Sequence, residues 1–383
     1  MPTPTPQALC SASLRGYGMS ASACGGSGIH IDCAAAGQTV PPALPRAPPS
    51  AGASCGSGRN FFLDLGANWC NTMRLFESVP EVANEGLAHA GAPWHVFAVE
   101  AAPLISPYVE RCVAALAAGL PLPEPPVPPA GSSMQLLNYA PDLGCTSDAV
   151  GRGRRERMNC VAKALEAPLA ALAKTADPAL TSNPALLAAR LGGARTRGQC
   201  KRGGAAAVAP ADAAGGRTAG VPTASGGSFE LIPAAAGASP GVLRMAGSPL
   251  QMLRGGSMVA GTNHQPRFDV AKVDVVQWLL DSFSVDDFVI LKMDVEGAEL
   301  EIVPKLLATN ATRLVDVFLW ECHAKWKGAK GRCQCAAWEE SLRRAGVRAV
   351  YREPYRFAPA EKYRAALWQG SNATAAPRGG AVN

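Results

Sequence analysis

Large side chains and long apolar runs are what this sequence has least of. Only 6% of its 383 residues are aromatic, whereas Gly 40 and Pro 32 are plentiful. Such a composition excludes several well-filled domains and fits one sizeable core with long, weakly ordered stretches. No run of about 18 apolar residues occurs, so a membrane-spanning helix is not expected. Acids are missing from residues 1–31, and so is the apolar h-region of a secretory signal. A plastid or mitochondrial transit peptide is the targeting reading that remains.

Two signatures of nucleotide chemistry are also missing. Phe61–Thr72 reads FFLDLGANWCNT, with a single glycine where the dinucleotide fingerprint GxGxxG wants three. The phosphate-loop motif GxxxxGK[ST] does not occur either. The 12 cysteines form no evident disulfide framework. Reduced thiols in an intracellular protein, cytoplasmic or plastid, are therefore expected. Only Cys322, His323, Cys333 and Cys335 approach metal-ligand spacing, and without paired CxxC knuckles no metal site is expected from them.

The charge is uneven. Of the formal +6, residues 121–227 carry twelve Lys/Arg against seven Asp/Glu in a Gly/Ala/Pro-rich setting. A solvated linker is expected there rather than a nucleic-acid surface, because aromatic residues are not interleaved with the basic ones.

Order is expected to begin at Asn60. FFLDLGAN (61–68) and WHVFAVEAAP (94–103) read as buried strands that stop in turns. PYVERCVAALAAGL (107–120) places Val109, Val113, Leu116 and Leu120 on one helical face. From Pro121 to about Gly227 the pattern collapses, leaving room for short Ala-rich helices broken by Pro168, Pro178 and Pro184. FELIPAAAG (229–237) reads as a strand, and FDVAKVDVVQWLLDSF (268–283) as a short strand and a helix capped by Asp274. FVILKM, ELEIVPKLLATN, LVDVFLWECH, AAWEESLRRAG and VRAVYR continue as strand, helix, strand, helix and strand. This alternation predicts an α/β fold with a doubly wound, mostly parallel sheet. The domain would span 59–357, interrupted at about 121–227, between a low-complexity N-terminus (1–58) and a C-terminal tail (358–383).

Ligands of such sheets bind outside the carboxyl ends of the strands. Asp64, Gly66 and Asn68 end the first strand, Glu100 the second, Asp294 and Glu296 the fourth, and Glu321 and His323 the fifth. Four apolar strands thus deliver polar groups to what should be one rim. Gly66 would permit close backbone approach, and Glu100 is placed to accept from a ribose diol. Asp294 and Glu296 alternate, so they should face opposite ways unless the chain already turns at Val295. Glu299 is expected to stabilise the start of the next helix. Lys292 reads either as an ion-pair partner or as a binder of an anionic acceptor.

DLGAN (64–68), FAVEAAP (97–103), ELIPAAAG (230–237) and above all LKMDVEGAELEIV (291–303) resemble the FkbM-type methyltransferase family. LVDVFLWECHAKW (314–326) is similar to its plant and algal branch. The resemblance covers residues 60–120 and 229–352, a little under half the chain. It implies a class I methyltransferase fold of Rossmann-like type, S-adenosylmethionine as donor, and an oxygen acceptor on a sugar or other small metabolite. It further implies that Asp64, Gly66 and Asn68 cradle the methionine part, that Glu100 holds the ribose, and that Ala235 lies by the adenine. The family carries a second glycine where this chain has Cys70, and it lacks the 121–227 insertion.

Transfer of a methyl group to a hydroxyl calls for a base. His323, with an unperturbed pKa near ~6.5, and Asp294 are the first candidates, followed by Glu296 and Glu321. A divalent metal on Asp294 and neighbouring acids is the alternative, although no dedicated ligand spacing is evident. A binding or scaffold protein that keeps the fold without catalysis is the rival from another class.

Overall fold

The computed structural model describes residues 58–70, 72–125, 137, 139–146, 153–175, 187, 191, 221–222, 227–246, 267–324 and 328–353. The expectations for residues 1–57 and for the C-terminal tail lie outside them.

The first strand, β1 (Asn60–Leu65), is followed by a 3-10 turn (Leu75–Ser78), a short helix α1 (Pro80–Ala83), β2 (Trp94–Val99) and α2 (Ser106–Ala117). The long connection contains α3 (Arg154–Thr175) and leads to β3 (Val221–Pro222) and β4 (Ser228–Ile232). A small sheet follows, built from β5 (Ala235–Gly237), β6 (Gly241–Ala246) and β7 (Arg267–Asp274). The chain then alternates through α4 (Val275–Ser282), β8 (Phe288–Met293), α5 (Glu299–Ala308), a 3-10 turn (Ala311–Leu314), β9 (Val317–Trp320), α6 (Gly328–Arg344) and β10 (Ala349–Arg352).

The main sheet has the order β10-β9-β8-β1-β2-β4-β3, parallel throughout except for the two-residue edge strand β3. Its six parallel strands, taken in chain order, run 6-5-4-1-2-3 across the sheet. This is the doubly wound arrangement, whose order reverses between β1 and β8. The α/β expectation therefore holds.

The central strands are apolar on both sides because both faces are covered. All six residues of β1 and all six of β8 are buried. Phe61, Leu63, Leu65, Leu291 and Phe318 pack with Leu279 of α4, Ile302 and Val303 of α5 and Leu342 of α6. On the opposite face, Ala98 and Leu231 pack with Tyr108 and Val109 of α2 and with Val161 and Leu165 of α3. Each Val, Leu, Ile or Phe among them, fully buried, contributes ~1.5–3 kcal/mol.

Several boundaries differ from the sequence reading, each for a local reason. Helix α2 ends at Ala117, Gly119 turns the chain with φ +68°, and Leu120 is 60% exposed instead of completing the apolar face. Pro233 breaks FELIPAAAG into β4 and β5, which belong to different sheets. Helix α3 runs continuously through Pro168. Its internal proline costs ~3 kcal/mol, against which stand the buried Val161 and Leu165. The 121–227 segment thus contributes to the core beside α2. Asp274 caps α4 as expected, accepting from the Gln277 N–H at 3.0 Å.

Among the described residues the expectation of reduced thiols holds for Cys70 and Cys112 and fails for the others. Cys145 pairs with Cys160 and Cys322 with Cys335, and Cys333 is also disulfide-bonded. Folding supplies the proximity that spacing hides: the end of β9 lies against α6, with the Cys322 and Cys335 Cα atoms 6.1 Å apart. This pairing also removes Cys322, Cys333 and Cys335 as zinc ligands. Among the described residues no helix is long and apolar enough to cross a membrane.

Candidate functional site

Parallel register brings the strand ends side by side. Leu65 pairs with Val99 on one side and Met293 on the other, Val99 pairs with Ile232, and Met293 with Trp320. Backbone bonds continue one step past these pairs. Gly66 and Ala67 N–H donate to Val99 O at 2.9 and 3.0 Å, Asp294 N–H to Leu65 O at 3.0 Å, and Glu321 N–H to Met293 O at 3.0 Å. The residues that follow each strand are therefore held at one edge, where the strand order reverses.

A cleft enclosing about 580 Å³, solvent at its mouth included, opens at this edge. Gly66, Asn68, Glu100, Ala235, Asp294 and Glu296 line it, all of them sequence candidates. Ala234, Ala236 and Met245 add a small, apolar wall from the turn after β4 and the three-stranded sheet.

The turn after β1 is shaped by left-handed backbone at Gly66 (φ +80°), Asn68 (φ +48°) and Cys70 (φ +62°). A Cβ at Gly66 would lie 1.9 Å from the carbonyl oxygen of Asp294. The glycine is thus required by the neighbouring strand end as well as by φ. Cys70 is buried in the core beside Cys112 and does not line the cleft. Burial pushes its thiol pKa up, with the Cys112 contact adding to it.

Glu100 is 7% exposed and ties the turn to its own loop. One carboxylate oxygen accepts from the Asn68 N–H and the other from the Ala102 N–H, both at 2.7 Å. Burial raises its pKa, opposed by these two bonds and by Lys292. Asn68 Oδ1 is buried and has no hydrogen-bond partner. A buried amide oxygen left without a donor costs ~1–3 kcal/mol, which a ligand N–H or O–H in the cleft would remove.

Asp64 lies beneath the cleft and does not line it. Its carboxylate is 3.1 Å from Lys292 Nζ and accepts from Thr72 Oγ1 at 2.7 Å. Lys292 also donates to Gly66 O at 2.7 Å and Leu65 O at 3.3 Å. Burial opposes its charge, but Asp64 and Asp294 outweigh that and hold its pKa above the ordinary lysine value. Of the two sequence readings of Lys292, the ion-pair partner is the one observed.

Asp294 and Glu296 face the same way, because the chain turns at once after β8. Glu296 is left-handed at φ +51° and Gly297 at φ +111°. This turn is held by Glu299, which sequence reasoning assigned only to a helix start. Its carboxylate is fully buried and accepts from Val295 N–H at 3.0 Å and Gly297 N–H at 2.8 Å. It also accepts from His323 Nδ1, which lies at 2.8 Å. The only signal for that second duty was a carboxylate placed five residues after another acid on a turning chain.

His323 is 4% exposed, and carboxylates surround it. Its Nε2 lies 3.5 Å from Glu296 Oε2, 3.8 Å from Glu321 Oε2 and 3.9 Å from Asp294 Oδ1. Burial pulls the imidazole pKa down, but the Glu299 bond and the surrounding acids raise it to about 9. Burial, reinforced by Asp294 and Glu321 against the pull of His323, raises Glu296 to about 7. Burial likewise raises Asp294. The value near ~6.5 used for His323 from sequence therefore does not apply in this acidic setting.

Comparison of the chain with protein-family models, with curated proteins and with solved structures returns no match.

Proposed function

We propose that this protein is an S-adenosylmethionine-dependent methyltransferase that acts on a hydroxyl of a sugar or another small metabolite. The observation that carries the reading is that Glu100, which accepts from the Asn68 N–H, and Asn68, whose Oδ1 is an orphan, line one cleft. The resemblance of DLGAN and DVEGAE to the FkbM-type family supports it, as does the order reversal between β1 and β8. That order is shared with dinucleotide enzymes, but the missing GxGxxG weighs against a pyrophosphate at this turn.

The residues fit the donor. Asn68 Oδ1 would accept from its ammonium group. Glu100 has lone pairs beyond the two used by backbone N–H groups and would accept from the ribose hydroxyls. Ala234, Ala235, Ala236 and Met245 offer an apolar wall to the adenine. Asp64 would act from below, by holding Lys292 and with it the carbonyls of Leu65 and Gly66. When bound, the donor supplies an electrophilic methyl group on a sulfonium centre.

The chain's remaining task is to place a hydroxyl in line and accept its proton. Asp294 and Glu296 line the cleft and present carboxylates for this. His323 stands behind them, its ring fixed by Glu299, and orients Glu296. Labelled-methyl transfer to a panel of sugars and polyols tests the reading. Glu296→Gln should lower turnover by ~10²–10⁴-fold while leaving donor affinity unchanged. Donor binding with no transfer to any hydroxyl acceptor would overturn the assignment.

A further inference from the structure

We propose that Asp294, Glu296 and His323 form a site for a divalent cation of Mn²⁺ type at the end of the cleft. Each offers one ligand atom, and these atoms all lie within 4.8 Å of one another. Nε2 of His323 is 3.5 Å from Glu296 Oε2 and 3.9 Å from Asp294 Oδ1. These separations exceed the ~2.7–3.2 Å of good hydrogen bonds. They fall within the span of two ligands of one cation: bonds of ~2.0–2.2 Å place neighbouring donors ~3 Å apart and opposite ones ~4.3 Å apart.

The histidine is set up as a ligand. Glu299 accepts from Nδ1 at 2.8 Å, so Nε2 points at the acids. A carboxylate behind a metal-binding imidazole fixes its tautomer and raises its basicity. Glu299 itself is fully buried and bound to two backbone N–H groups, which keeps it behind the ligands. His323 is more than nine-tenths buried, yet it is aimed at side chains that reach solvent through the cleft.

Two further observations point to a ligand here. Asn68, whose Oδ1 is buried without a partner, lines the same cleft as Asp294 and Glu296, so a bound molecule has a polar group to satisfy there. Asp294 also belongs to a second group of close oxygens with Glu321 and Glu353. The cationic side chain next along the strand, Lys292, points below the cleft to Asp64 and two carbonyls. The donor set selects the ion. Carboxylates suit Mg²⁺ and Mn²⁺, imidazole suits the first-row transition metals, and Mn²⁺ satisfies both. Thiolate is not on offer, since Cys322 is joined to Cys335.

A cation here would hold an acceptor hydroxyl and make it more acidic. That role rests on the methyl-transfer reading, whereas binding of the ion does not. The test is electron paramagnetic resonance of Mn²⁺ titrated into the full-length chain, with neither donor nor acceptor present. The wild type should bind saturably below millimolar Mn²⁺. Glu296→Gln and Asp294→Asn, which keep side-chain shape, should each weaken binding at least ~10-fold; His323→Ala should do the same if its melting curve shows it folded. A wild type that does not bind, or shape-preserving variants that bind as it does, would overturn the site. S-adenosylhomocysteine affinity, measured without metal on the same samples, fails or survives separately and reports on the methyl-transfer reading alone.

Discussion

Gly66 is the residue on which the site's geometry is most sharply constrained. Gly66→Ala would place a methyl 1.9 Å from Asp294 O in a backbone with φ +80°. The left-handed conformation alone costs ~1–2 kcal/mol, and the clash must part β1 from β8 besides. Urea unfolding should show a loss of ~2 kcal/mol or more, with a weakened donor site; an unchanged midpoint would mean the two strand ends are further apart than described. Lys292 offers a second test. Lys292→Met leaves Asp64 buried without its cation and should cost ~3–5 kcal/mol. Adding Asp64→Leu should recover much of that loss, because the double variant leaves no uncompensated charge at this pair. Denaturant midpoints of the two variants check the sign.

At the scale of elements, the turns after β1 and β8 carry most of what is functional. Cys70 stands in a left-handed position where the resembling family has glycine, and it faces Cys112, not the cleft. Cys70→Gly relieves ~1–2 kcal/mol of backbone strain but removes a buried thiol. Stability should therefore change by no more than ~1 kcal/mol, and donor affinity, read by calorimetry, should not change. The strands and their open ends were legible in sequence because an apolar run stopping at a charge has few other meanings in a parallel sheet. The facing of Asp294 and Glu296 was not legible. Strand alternation puts them on opposite sides, and only the left-handed Glu296 turns both toward His323. The duty of Glu299 was hidden for the same reason: its partner lies 24 residues away, at the end of another strand. The Cys322–Cys335 pair was equally silent, since the contact of β9 with α6 and not spacing decides it.

For the molecule as a whole, two covered faces explain why the core strands lack alternation and why polar groups collect at one edge. The 121–227 segment read as an insertion and a solvated linker, yet α3 buries Val161 and Leu165 beside α2. Val161→Ala should therefore destabilise the whole chain by ~1–3 kcal/mol in a single cooperative transition; melting of a separate, weaker unit would show that the segment stands apart from the core.

The account depends on carboxyl ends of different strands converging to hold a methyl donor. Calorimetric titration of the folded full-length chain with S-adenosylhomocysteine tests that convergence most directly. The account predicts saturable binding that weakens about tenfold or more on Asn68→Ala and on Glu100→Gln, since each loses a group facing the cleft. Folded protein that gives no heat of binding, or binding indifferent to both substitutions, would contradict it.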